Sequence, residues 1–151
     1  MKQTVIALLM LVAISGLAGA AAKSLQVTDL PAAVQKTVQD NLKGAEIKNI
    51  SKEVEKGVTQ YEVETMLNGK HRDFEVDAKG KLLVVEEEAA IAAIPAAAKA
   101  AIEKKVAGGK LVKVETVDKG DGVTLYEASY TSQAGKKGSI LVKADGTETK
   151  D

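Results

Sequence analysis

The residues best placed to do chemistry in this 151-residue chain are carboxylates on alternate positions: Glu62 and Glu64 in Tyr61-Glu62-Val63-Glu64, and Asp73 and Glu75 in Asp73-Phe74-Glu75-Val76. Alternate residues of a strand share a face, so each pair lies on one side of its strand. Between the pairs stands Asn68-Gly69, a dipeptide that favours the two-residue type I′ hairpin turn because both central positions need positive φ. Such a turn sets the register. Leu67 faces Lys70, Val63 faces Phe74 and Tyr61 faces Val76 on one face; on the other, Glu62 falls opposite Glu75 and Glu64 opposite Asp73. Like charges directly across a strand pair are destabilising, by a few tenths to about 1 kcal/mol, so the cluster asks for a reason. One reason is a face that docks a basic partner. The plainer one is a solvated face whose charge is relieved by lysines on adjacent strands.

Other chemistries fit these residues less well. Ca²⁺ takes oxygen ligands, but carboxylates on a flat sheet do not wrap an ion, and the chain has no Asp-x-Asp-x-Asp-Gly loop. A glycosidase acid and base need a cleft that perturbs one pKa, which a short hairpin does not evidently supply. His71, the only histidine, falls opposite Met66, and with no Cys in the chain a transition-metal site lacks ligands. No serine stands in a Gly-x-Ser-x-Gly context, and the glycines sit singly at turns rather than in a phosphate-cradling loop. Tyr61, Phe74, Tyr126 and Tyr130 are in phase with core positions and form no stacking platform. Lys136-Lys137 reads as a solvated loop. The expectation is therefore a non-enzyme with no catalytic residue, no cofactor and no metal, whose protein-binding face is Glu62, Glu64, Asp73 and Glu75. With 21 basic against 21 acidic residues, neither nucleic acid nor an anionic membrane is an expected partner, because both demand a basic surface.

The elements that hold these residues repeat. Leu30-Pro31-Ala32-Ala33-Val34 returns 64 positions later as Ile94-Pro95-Ala96-Ala97-Ala98, and at the same offset Val38 meets Ile102, Leu42 meets Val106 and Gly44 meets Gly108. Val58-x-x-Tyr61-Glu62 then meets Val123-x-x-Tyr126-Glu127, and Val76-x-Ala78-x-Gly80 meets Val142-x-Ala144-x-Gly146. Each copy opens with a helix: Pro31 and Pro95 suit its first turn, Asp29 offers a carboxylate to its free N–H groups, and Gly44 and Gly108-Gly109 suit its end. Val34, Val38 and Leu42, and Ala98, Ile102 and Val106, form apolar stripes facing a sheet. Strands are expected at Ile47–Glu55, about Tyr61–Leu67, Lys70–Asp77 and Lys81–Val85, then at Leu111–Val117, Val123–Thr131 and Ser139–Lys143, with a stub at Thr147–Asp151. In the second copy the loop Ser132–Gly138 replaces the tight turn, and Leu125 and Leu141 point outward on a less acidic face.

The amino terminus reads as a secretory signal peptide: Lys2, an apolar run from Val5 to Ile14, then small residues to Ala22. Cleavage is expected after Ala22, or after Ala20. The run is shorter than the roughly 20 residues a membrane span needs. No cysteine follows it, which excludes a lipid anchor, so the mature protein is expected free of the membrane in the periplasm or outside the cell. The expected boundaries are 1–22 for the signal, 23–88 for the first module and 89–151 for the second.

Leu30-Pro31, Tyr61-Glu62-Val63-Glu64 and Phe74-Glu75-Val76-Asp77 with Gly80 and Leu82 resemble the PepSY-like, beta-lactamase-inhibitor-like family, and Ile94-Pro95, Tyr126-Glu127, Val142 and Asp145-Gly146 repeat the pattern. The resemblance implies a bacterial exported α+β protein of two tandem helix-plus-antiparallel-sheet modules, similar in outline to the beta-lactamase inhibitor protein. It implies a periplasmic or secreted protein partner that the chain inhibits or restrains. An envelope sensor of a small ligand or cation is the alternative.

Overall fold

The computed structural model describes residues 24–150 apart from Lys56; the expected signal peptide and its cleavage site lie outside the described residues. The chain is α+β and divides into two compact units between Glu87 and Glu88. Among the described residues, no helix is long and apolar enough to cross a membrane.

In the first unit a 3₁₀ turn, Val27–Asp29, leads into α1, Ala32–Leu42. Pro31 takes the N-cap position with extended backbone, since its ring presets φ and its missing N–H costs nothing there. Asp29 does not cap α1 as expected. Its Oδ2 instead accepts the Gln26 N–H at 2.9 Å and closes the 3₁₀ turn. Lys43 (φ 48) and Gly44 (φ 87) turn the chain out of the helix through left-handed backbone. Four strands follow as an antiparallel meander: β1 Glu46–Glu55, β2 Val58–Leu67, β3 Lys70–Asp77 and β4 Leu82–Glu88. Val34 and Val38, four residues apart, are fully buried against Ile50, Tyr61, Val63, Phe74 and Val76. Gly80 (φ 84), in the β3–β4 turn, lies so close to α1 that a Cβ would sit 2.6 Å from the Ala33 carbonyl oxygen.

The second unit has the same order. Pro95 is the N-cap of α2, Ala96–Val106, and β5 Lys110–Asp118, β6 Thr124–Thr131, β7 Lys137–Lys143 and the two-residue β8 Glu148–Thr149 form an antiparallel meander. Ala98 and Ile102 pack on Val114, Ala128, Ile140 and Val142. Correspondence extends to detail. The ladder shifts between Ile47 and Asn49 in the first unit and between Leu111 and Lys113 in the second. The Leu25 N–H donates to the Ile50 carbonyl at 3.0 Å, and the Ala89 N–H to the Val114 carbonyl at 2.9 Å. At Gly146 (φ 82) a Cβ would meet the Ala97 oxygen at 2.7 Å. Two expectations need amending. The β6–β7 loop is shorter than 132–138, because Lys137 and Gly138 already pair with Thr131 and Tyr130. Leu141, opposite Glu127 on the face away from α2, is buried rather than outward in solvent.

Candidate functional site: an acidic sheet face

The hairpin has the expected register. Asn68 (φ 53) and Gly69 (φ 80) make the tight turn, with Leu67 paired to Lys70, Met66 to His71, Val63 to Phe74, Glu62 to Glu75 and Tyr61 to Val76. The ladder opens at Thr65: its N–H turns to the side chain of Asp73 (Oδ1, 2.7 Å), and its hydroxyl donates to the Arg72 carbonyl. Alternation puts Tyr61, Val63, Phe74 and Val76 against α1 and leaves Glu62, Glu64, Asp73 and Glu75 on the opposite face. Pairing extends that face sideways. Ser51 lies opposite Glu62 and Asn49 opposite Glu64 on β1, and Glu86 lies opposite Asp73 on β4.

All four carboxylate residues are half-buried, and the Asp73 side chain is only 13 % exposed. This face is thus less solvated than a plain outer face. Burial, then the charges of Glu64, Glu53 and Asp73, push the Glu62 carboxyl above its ordinary pKa, and a hydrogen bond from Ser51 partly opposes them. Neutral donors supply part of the relief that lysines were expected to give: Asn49 Nδ2 to Glu64 Oε1 at 3.1 Å and Ser51 Oγ to Glu62 Oε2 at 3.4 Å. His71 Nδ1 stands 3.8 Å from Asp73 Oδ2. Among the described residues, no three histidine or carboxylate side chains converge on a common point as a metal site requires.

Two features were missed in the sequence. Arg72 is 4 % exposed, on the α1 side of β3. Its Nε reaches Glu87 Oε1 at 3.0 Å, its Nη1 the Asn41 carbonyl at 2.7 Å in the last turn of α1, and its guanidinium lies 5.7 Å from the Phe74 ring centre. The signal was available, since Arg72 is in phase with Phe74 and Val76. In the second unit Glu115 and Glu127 face each other across β5 and β6, both buried, on the side away from α2. Lys113, two residues from Glu115 on the same face, comes within 2.7 Å of its Oε1. In the sequence, Tyr126-Glu127 stands out only as the counterpart of Tyr61-Glu62.

Residues 31–80 match the family model described as PepSY, peptidase propeptide and YPEB domain. No curated protein matches the chain. Among solved structures, a Bacteroides eggerthii protein provisionally described as periplasmic superposes with a TM-score of 0.64 at 16 % identity, over 80 % of this chain and 86 % of that one. A DUF2874 family protein from Bacteroides ovatus gives 0.62 at 14 % identity, over 80 % and 85 %. A BLIP-like protein from Bacteroides fragilis gives 0.57 at 18 % identity, over 80 % and 83 %. At such identities the likeness is one of fold. The part of the chain that matches a PepSY domain, residues 31–80, thus runs from the Pro31 cap of α1 to the Gly80 turn.

Proposed function

We propose that the chain is a non-catalytic exported binding module of the periplasm or cell exterior, and that its acidic sheet face docks a basic region of a secreted or periplasmic enzyme that it restrains. The observation that carries this reading is the half-buried run of Glu62, Glu64, Asp73 and Glu75, with Glu62 directly opposite Glu75. An arrangement that works against folding is retained most readily where a partner's cations complete it. Three things support the class. The matched family is described by the propeptides of peptidases, one structural neighbour is described as BLIP-like, and another is provisionally described as periplasmic. The paired ladder shifts, helix–glycine contacts and leading hydrogen bonds support two copies of one module, 23–88 and 89–151, after a signal peptide of residues 1–22.

The test is capture from an envelope extract on immobilised mature protein, compared with the variant E62Q/E64Q/D73N/E75Q. The wild type is expected to retain a protein that 0.5 M salt releases, because exposed charge pairs are screened, and the variant is expected to lose it. Equal capture by both proteins would sink the acidic-face reading. Assay of the captured protein for peptidase activity, with and without added mature chain, then tests restraint.

A further inference from the structure

The partner of the acidic face can be specified further from the edge of the strand beside it. In β1, Ile50 directs its backbone away from β2: its carbonyl accepts the Leu25 N–H at 3.0 Å, and its N–H reaches Ser24 Oγ at 3.3 Å. Backbone direction alternates along a strand. Lys52 and Val54 therefore turn their N–H and C=O groups to that same edge, beyond the point where Ser24 and Leu25 leave it. The β1–β2 ladder is regular from Asn49 to Glu55, so no bulge twists this stretch aside. Val54 is 65 % exposed, one of the few large apolar side chains among the described residues so open to solvent. An edge of this kind is a template for another strand.

Side chains say what that strand carries. Ser51 and Glu53 project to the acidic face, in the row next to Gln60 and Glu62, and Glu53 is near enough for its charge to act on Glu62. Lys52 and Val54 project to the other face. A strand added about 4.8 Å from β1 lays its alternate residues beside Ser51 and Glu53 on one face, with Glu62 one strand further in, and beside Val54 on the other.

We infer that the edge of β1 from Lys52 to Val54, unpaired among the described residues, takes up an extended segment of alternating basic and apolar residues, added as a further strand with its basic side chains beside Glu53 and reaching towards Glu62 on the same face. The inference rests on the acidic-face reading and names how the partner engages it: main-chain hydrogen bonds hold the segment, and charge selects it. A second copy of β1 is a poor occupant, because antiparallel self-pairing centred on Lys52, Glu53 or Val54 sets Lys52 against Lys52, Glu53 against Glu53, or Glu53 against Glu55.

The probe is a labelled seven-residue peptide alternating valine and lysine, titrated against the mature protein by fluorescence anisotropy at low salt. Val54→Pro removes an edge N–H outside the β2 ladder, and is expected to weaken binding about tenfold, the equivalent of about one backbone hydrogen bond. Two peptides N-methylated on alternate sets of amides test the same point without altering the protein. One set is expected to lose about tenfold and the other little, because only every second amide faces β1. On binding, the Lys52 and Val54 amides become protected from hydrogen exchange. Equal binding by V54P and by both methylated peptides overturns the edge inference, and so does failure of the parent peptide to bind. If edge changes are silent while E53Q/E62Q weakens binding, the acidic face survives alone. If E53Q/E62Q is also silent, that reading falls too. Should V54P fold poorly, the methylated pair decides.

Discussion

The two units solve the same packing problem differently at the turn end of their central hairpins. In the first, Thr65 and Arg72 occupy the end next to Asn68-Gly69: the Thr65 hydroxyl bonds the Arg72 carbonyl, and the guanidinium caps the last turn of α1 at Asn41 and pairs with Glu87. In the second, the corresponding pair is Tyr130 and Gly138. The tyrosine ring lies over the glycine so closely that a Cβ there would stand 3.0 Å from Tyr130 Cζ. A long cation with three partners is exchanged for an aromatic ring on a bare backbone. Deeper in the core both residues of the matching pair are smaller in the second unit, Val63 opposite Phe74 in one and Ala128 opposite Ile140 in the other. What the two units share is the backbone frame under the helix, not the side chains that fill it.

The comparison can be broken most forcefully at Phe74, which is 1 % exposed. Phe74→Ala is expected to cost about 3–5 kcal/mol, more than Ile140→Ala at the matching place in the second unit, as read from denaturant midpoints. Equal costs would mean that the smaller pair is packed as tightly. Next comes the hairpin end. Arg72→Met keeps most of the side-chain volume but uncaps the Asn41 carbonyl and releases Glu87, for an expected loss of about 1.5–3 kcal/mol. Faster hydrogen exchange should then appear in the last turn of α1 and leave α2 unchanged. If α2 loosens equally, the two hairpin ends are not the independent solutions described.

The smallest effect sharpens the contrast between the acidic and less acidic faces. Burial and neighbouring carboxylates raise the Glu62 pKa above its ordinary value of 4.5, so the folded state holds a proton there more tightly than the unfolded chain does. Stability from this group is fully present below the unfolded pKa and falls as pH rises from about 4.5 through the raised folded value. Glu62→Gln should remove that decline and raise stability at neutral pH by a few tenths to about 1 kcal/mol. A thermal midpoint at pH 7 that drops in the variant would show that the Ser51 bond outweighs the repulsion.

Much of this was legible because it depended on local geometry. A two-residue turn leaves the flanking strands one register, so Glu62 against Glu75 followed from Asn68-Gly69 alone. Prolines and glycines at matched offsets marked both helix starts and the two close helix–turn contacts. Asp29 misled because its carboxylate had two sets of free N–H groups within reach, and the tighter local turn won. Arg72 was in the inward phase, but periodicity does not say whether a cation there snorkels out or finds a helix carbonyl. The burial of Glu115, Glu127 and Leu141 lay beyond the pattern altogether, since alternation predicts which face a residue takes and not whether that face is covered.

The contact of Gly80 with Ala33, repeated by Gly146 with Ala97, has a consequence for which positions can change. A turn pressed directly onto a helix backbone tolerates no side chain, whereas the apolar positions around it accept many replacements of similar size. The two units already differ in their cores, Val63 and Phe74 against Ala128 and Ile140, while both keep the glycine contact. A proline-led helix followed about fifty residues later by a glycine turn is then a fingerprint of this helix-on-turn arrangement that survives wide changes in the residues between.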